Sequence, residues 1–205
     1  MTLLVMHGLG TIVSFKTLFD FESALAKYTG APYVVVTDGC THAIELCMRF
    51  DQVKSTSFTA HTYLSIPMLM HQLGIEYELT NSHWSGEYQF NGTRIWDSAR
   101  RLEPGMYQQG QLQCLSFGHS KPLELGKCGA ILTDDVEAYD QLSMMRSDGR
   151  NLRVTPWQDQ ITFGQGYHYC PTLETCALGI EKLTTVVPQC QSAVYPDCRE
   201  ILIKS

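Results

Sequence analysis

Residues 33–44, Tyr33-Val34-Val35-Val36-Thr37-Asp38-Gly39-Cys40-Thr41-His42-Ala43-Ile44, change character at Asp38. The first five form an aromatic and β-branched run whose stiff side chains suit an extended chain. Asp38-Gly39 then turns the chain, and Ala43, Ile44, Cys47 and Met48 recur at the spacing of one helical face. A strand, a polar turn and a helix start within a dozen residues form the unit from which α/β sheets are wound.

The pattern continues in both directions. Upstream, Phe21, Leu25 and Tyr28 predict a helix over Asp20 to Thr29, with Asp20 as its cap and Gly30 as its stop. Downstream, strands are expected at Ser55 to Thr59 and Ile75 to Leu79, around a helix from about Leu64 to Leu73. An Asn91-Gly92 turn precedes a strand from Thr93 to Trp96 that ends in Asp97, and Leu112 to Phe117 predicts another that ends near Lys121. Cys128 to Thr133 predicts one more strand, followed by a helix from Val136 to Arg146. Ser147 to Gln165 is polar and irregular, as in a mobile loop, Thr172 to Thr185 is helical in spacing, and a weaker helix or tail follows from Gln189. The expected fold class is α/β, a mostly parallel, doubly wound sheet in one domain of residues 1–205. Within it we expect an N-terminal arm (1–18), a core of sheet and helices (19–146), a loop (147–171) and C-terminal helices (172–205).

Composition narrows the function. Hydrophobic residues make up 44% of the chain and charged residues 18%, with a net charge of −6, unlike a basic nucleic-acid binder. No apolar run is long enough to span a membrane, and Met1 to Phe15 lacks the basic start of a signal peptide, so a cytoplasmic location is expected. Eight cysteines form no CxxC pair and no zinc spacing, which predicts free thiols, no metal and a small-molecule partner.

In open α/β sheets the ligand crevice lies beyond the carboxyl ends of the strands. Three polar features fall there: the Gly39-Cys40-Thr41 turn, Asp97, and Ser116 with Lys121. The turn opens a helix whose free amides and positive dipole end suit a phosphate, although Thr41 is equally a favoured N-cap. Asp97 and Lys121, each taken alone, are also common as solvated surface groups.

Order and spacing add a resemblance. Asp38-Gly39-Cys40-Thr41-His42-Ala43-Ile44 resembles the phosphate turn of the DegT/DnrJ/EryC1/StrS sugar aminotransferases, and Phe21-Glu22 with Ala26-Lys27-Tyr28-Thr29-Gly30 resembles their opening helix. Thr62-Tyr63-Leu64-Ser65 is similar to the segment whose ring stacks on the cofactor. Ile95-Trp96-Asp97-Ser98-Ala99-Arg100 is similar to the stretch whose aspartate meets the pyridinium nitrogen. Ser116-Phe117-Gly118-His119-Ser120-Lys121, with Gly126-Lys127-Cys128-Gly129 after it, resembles the stretch that carries a phosphate-binding serine and the Schiff-base lysine. Gly166-Tyr167-His168-Tyr169 resembles a signature that reaches the partner subunit, and the likeness runs from about Phe21 to Leu183.

The resemblance implies the large domain of a pyridoxal 5'-phosphate transferase without its C-terminal small domain, acting as a homodimer. It implies Lys121 and Asp97 as catalytic residues, and Gly39, Cys40, Thr41, His42, Tyr63, Arg100, Ser116 and His168 as further cofactor contacts. An amino acid such as glutamate would be the amine donor, and a keto-sugar nucleotide or similar small carbonyl compound the acceptor. The chain departs from the family pattern at Cys40, His42, Arg100, His168 and Cys170, and the segment between Leu79 and Arg94 is short. A binding or regulatory module that has lost the substrate half of the site is the alternative.

Overall fold

A computed structural model of the chain describes residues 15–154, 156–192 and 194–201, so most of the expected N-terminal arm lies outside the described residues. The first helix, α1 (Lys16–Thr29), starts a turn earlier than expected. Asp20 is therefore not its cap: no side chain caps the start, and Asp20 instead pairs with Lys16 at 2.6 Å, one turn back. The stop is as expected. Gly30 has φ 78° and its amide returns to the Ala26 carbonyl, a left-handed closure that a side chain would strain.

After α1 come β1 (Tyr33–Thr37), α2 (Cys40–Phe50), β2 (Ser55–Thr59), α3 (Ser65–Leu73), β3 (Glu76–Thr80), β4 (Tyr88–Gln89), β5 (Ile95–Asp97), β6 (Arg101–Leu102), β7 (Leu112–Ser116), β8 (Gly129–Thr133), α4 (Val136–Arg146), α5 (Leu173–Leu183) and β9 (Gln189–Cys190). The main sheet has the order β1-β8-β7-β5-β4. Its pairings are mixed: β5 and β7 are parallel, but β8 is antiparallel to both β1 and β7, and β4 to β5. Parallel neighbours need a crossover, usually helical, whereas a short direct link returns the chain reversed. Residues 117–128 hold no helix, and β4 reaches β5 through the Asn91-Gly92 turn. Strand direction nevertheless stays mostly parallel. β1, β7 and β5 point one way, and the parallel pair β2–β3 joins them through an antiparallel bridge from Ser57 to Asn91, just past β4.

Both faces of this sheet are covered. Val35, Ile131, Leu112 and Cys114 face Ala43, Ile44 and Cys47 of α2 and Leu142 of α4. Val34, Val36, Leu115 and Leu132 face Leu18, Phe21 and Leu25 of α1 and Cys176 of α5. The side of each valine in β1 follows from the two-residue period of a strand. α5 lies so close to α1 that a Cβ on Gly179 would overlap the Phe21 ring. A buried ion pair ties three of these elements together. Glu22 of α1 pairs with Arg146 of α4, which is 1% exposed, and the same Glu22 Oε1 accepts the Val36 amide at 3.0 Å. Arg146 Nη1 also donates to the Val36 carbonyl at 2.8 Å.

The loop after α4 is irregular apart from one 3-10 turn, and its returning leg is fastened to the end of α4 by Tyr167 and Tyr169 amides on the Met145 and Arg146 carbonyls. Past α5 no second long helix forms among the described residues. The chain extends instead, because β9 finds an open edge in β6, and a single 3-10 turn at residues 198–200 follows. Among the described residues no helix is long and apolar enough to cross a membrane.

Candidate functional site

Beyond the carboxyl ends of β1, β5 and β7 lies a cleft of about 660 Å³. Nine of the ten residues singled out in the sequence line it: Gly39, Cys40, Thr41, His42, Tyr63, Asp97, Arg100, Ser116 and Lys121. His168 does not. Its side chain is 90% exposed on the loop after α4, where it pairs with Asp148 at 3.0 Å.

One wall is the start of α2. No side chain caps it, and its first N–H groups, on Cys40, Thr41 and His42, have no partner among the described residues. Thr41, a candidate N-cap on sequence, lies inside the helix and shares a 2.8 Å hydrogen bond with Ser65 Oγ instead. The Cys40 thiol turns inward to the Cys114 carbonyl, and burial, with Asp97 nearby, pushes its pKa well up, so it remains a neutral thiol. His42 stacks on Tyr169 with ring centroids 3.7 Å apart, and its Nδ1 lies 2.5 Å from Asp38 Oδ1. The first residue of β8 lies directly beneath this helix start. A Cβ on Gly129 would come within 2.6 Å of the Cys40 nitrogen and 2.9 Å of the Leu115 carbonyl oxygen, all unyielding backbone. Gly129→Ala should therefore cost about 1–3 kcal/mol and displace the start of α2. Denaturant unfolding and phosphate affinity measured on the same variant would check both effects.

Asp97 forms the floor, 4% exposed. Its Oδ1 accepts the Ala99 amide at 3.0 Å, and its Oδ2 accepts the Tyr88 hydroxyl at 2.9 Å, which in turn lies 2.7 Å from Thr62 Oγ1. Burial raises the Asp97 pKa, and the Ala99 and Tyr88 hydrogen bonds and the Lys121 charge only partly oppose it. A raised folded-state pKa means that the stability it contributes is complete below the unfolded carboxylate value and is lost as pH rises through the folded one. At neutral pH the carboxylate is thus a strain on the fold. Asp97→Asn, without cofactor, should be more stable at pH 7 by on the order of 1 kcal/mol. That gain should shrink as pH falls toward 3.8, the ordinary value for this carboxyl, which thermal melts at the two pH values would show.

Lys121 is half-buried in the turn after β7, where its amide closes on the Gly118 carbonyl. The residue before it, Ser120, has φ 62°, a left-handed conformation that costs a residue with a side chain roughly 1–2 kcal/mol. Such local strain marks a chain direction imposed by its surroundings, here the one that brings Lys121 to the cleft.

Several residues of the site escaped the sequence. Tyr88, which backs Asp97 rather than lining the cleft, could have been found: counting back from Asp97 through the Asn91-Gly92 turn places it directly opposite, as the register of β4 and β5 confirms. Trp84 and Tyr195 gave no such signal. They stack on each other (centroids 6.2 Å, 14° between planes), and Tyr195 comes from the segment after β9 to close one side of the cleft. That segment is fastened by the Cys198 amide on the Ala60 carbonyl at 2.9 Å and by the Tyr195 carbonyl 3.1 Å from His61 Nδ1.

This donor set fits pyridoxal 5'-phosphate. The unpaired helix amides with the Thr41 and Ser116 hydroxyls suit a phosphate, a buried carboxylate suits a protonated ring nitrogen, and a lysine amine stands in the same cleft.

The model of the DegT/DnrJ/EryC1/StrS aminotransferase family matches residues 5–76 and 105–192, well over half of the chain. The unmatched stretch between them carries Asp97 and Arg100, whose placing in the cleft is thus a structural observation. No curated protein matches. Among solved structures, AtS13 from Actinomadura melliaura aligns with a TM-score of 0.72 at 17% identity, over 85% of this chain and 61% of its own. PseC from Helicobacter pylori, described as an aminotransferase involved in the biosynthesis of pseudoaminic acid, aligns at 0.66 and 14% identity, over 86% and 60%. DesI, solved in the presence of its TDP-sugar product, aligns at 0.68 and 15% identity, over 85% and 54%. The chain spans roughly three fifths of the length of these structures, and their likeness establishes a shared fold, that of the pyridoxal-phosphate transferase large domain.

Proposed function

We propose, because the chain belongs to the DegT/DnrJ/EryC1/StrS aminotransferase family, that it is a pyridoxal-phosphate-dependent aminotransferase with Lys121 and Asp97 as its catalytic pair. It takes an amino group from an amino acid such as glutamate and passes it to a keto-sugar nucleotide or similar small carbonyl acceptor. The observation that carries this reading is the meeting of Lys121, Asp97 and the uncapped start of α2 in one cleft.

When bound, pyridoxal phosphate supplies an electron-withdrawing ring that spreads the negative charge left on a substrate carbon. The chain's own residues do the rest. The amides of Cys40, Thr41 and His42, with the Thr41 and Ser116 hydroxyls, hold the phosphate. Asp97 keeps a proton on the ring nitrogen, and that proton offsets the cost of its buried charge. The Lys121 amine would hold the cofactor and would serve as the base that moves the substrate proton. Tyr63, which lines the cleft and is 61% exposed, would cover one face of the ring. A second copy of the chain shields the open side, and His168, outside its own chain's cleft, reaches the neighbouring one. The protein works in the cytoplasm.

The test is the absorbance of purified protein with added pyridoxal phosphate, before and after glutamate. A visible band that glutamate converts to the pyridoxamine form supports the aminotransferase. The departures from the family pattern at Cys40, His42 and Arg100, all of which line the cleft, favour as second reading a binding or regulatory module without turnover. A band indifferent to every amino donor would leave a cofactor-binding protein with another substrate or none, and no band at all would sink the aminotransferase and favour the module.

A further inference from the structure

Five cationic or potentially cationic side chains line the cleft: His42, Arg100, His119, Lys121 and Lys127. Three have acidic partners. His42 and Lys127 both pair with Asp38, at 2.5 and 3.1 Å, and His119 pairs with Glu124 at 3.1 Å. Lys121 is the amine of the proposed function. Arg100 remains, half-buried and with no carboxylate partner among the described residues.

The neighbours of Arg100 are all neutral. Its Nε donates to the Tyr195 hydroxyl and its Nη1 to Gln191 Oε1, each at 3.3 Å, and the guanidinium carbon stands 5.3 Å from the Tyr195 ring centroid. The guanidinium thus lies over the Tyr195 ring, while Nη2 has no partner among the described residues. By contrast, the adjacent Arg101 is saturated by Glu87 and Glu103. A half-buried guanidinium held by neutral groups, with an edge left open in a cleft, is built to receive a planar anion.

We infer that Arg100 is a specificity residue that receives a carboxylate of the amine donor, so that in the donor half of the reaction the site selects small amino acids with a free carboxylate, and their oxo-acid products. The start of α2 already serves the phosphate, so the second anion has its own receptor. Tyr195 and Gln191 act as positioning residues that aim the guanidinium. The inference rests on the aminotransferase reading for the identity of the substrate, though the anion site itself follows from Arg100 alone.

Calorimetric titration with succinate, an unreactive dicarboxylate, tests it in two settings: protein loaded with pyridoxal phosphate, and protein in inorganic phosphate, which fills the helix terminus without the cofactor. The expected result is that succinate binds, dimethyl succinate does not, and Arg100→Gln weakens succinate by about tenfold or more. Tyr195→Phe, which keeps the ring and the charge, should stay within a few-fold of the unmodified protein. Equal succinate affinity in the Arg100→Gln variant would overturn the inference. So would a change confined to the cofactor's absorbance, which would assign Arg100 to the ring oxygen instead. If the cofactor never loads but the phosphate setting shows the Arg100 dependence, the aminotransferase reading fails and the carboxylate site stands. If glutamate converts the cofactor while the variant binds succinate normally, the carboxylate site fails and the enzyme stands.

Discussion

Borohydride reduction of the protein loaded with pyridoxal phosphate should fix the cofactor covalently to Lys121, and Lys121→Ala should show no such adduct by mass spectrometry. Amino-group transfer should fall by roughly a thousandfold or more, since the variant loses both the covalent attachment point and the general base. The substitution reaches further than the amine. The Lys121 charge is one of the influences that hold the Asp97 pKa down, so without it the Asp97 carboxyl should titrate still higher. An adduct at another lysine in the variant would end the assignment. Lys127 is the natural alternative, since it lines the same cleft, but its ammonium is engaged by Asp38.

The largest effect on stability should come from the pair deep between the layers. Glu22→Gln leaves the Arg146 guanidinium buried without a counter-charge, at a cost of about 3–5 kcal/mol. A domain of this size has about 5–15 kcal/mol in total, so the variant should be close to unfolding at ambient temperature. The damage would not be local. Glu22 and Arg146 both bond the backbone of Val36, in the strand that leads into the Gly39 turn. Arg146→Met combined with Glu22→Leu should recover much of the loss, because no charge is then stranded. Urea unfolding of the single and double variants checks this, and additive losses would mean that the pair is not coupled.

The parts of the site legible in the sequence were those whose chemistry lies within one local segment. Gly39-Cys40-Thr41 announces a helix start by its own turn, Asp97 ends its strand, and Lys121 stands one short turn beyond the end of its own. Strand existence was likewise local, but pairing was not. Whether β8 lies parallel or reversed beside β7 depends on what residues 117–128 do, and a stretch without helical spacing left that open. Glu22 and Arg146 are 124 residues apart, and nothing local distinguishes either from a surface charge. Asp20 misled in the opposite way: aspartate is a good cap, but Phe21 and Leu18 both face the core, so burial carries α1 back past it. His168 shares its motif with Tyr167 and Tyr169, yet the loop's return along α4 directs it to solvent.

The wall that Tyr195 provides differs in kind from the floor that Asp97 provides. Asp97 sits on a strand inside the main sheet and moves only if the core opens. Tyr195 hangs from a two-residue strand, a few backbone hydrogen bonds and stacked rings. Segments so lightly attached open by themselves, at a small fraction of the free energy of global unfolding. The molecule therefore has two separate thermal lives: a rigid base that keeps the reactive groups in register, and a flank that can breathe to admit a ligand without loosening that base.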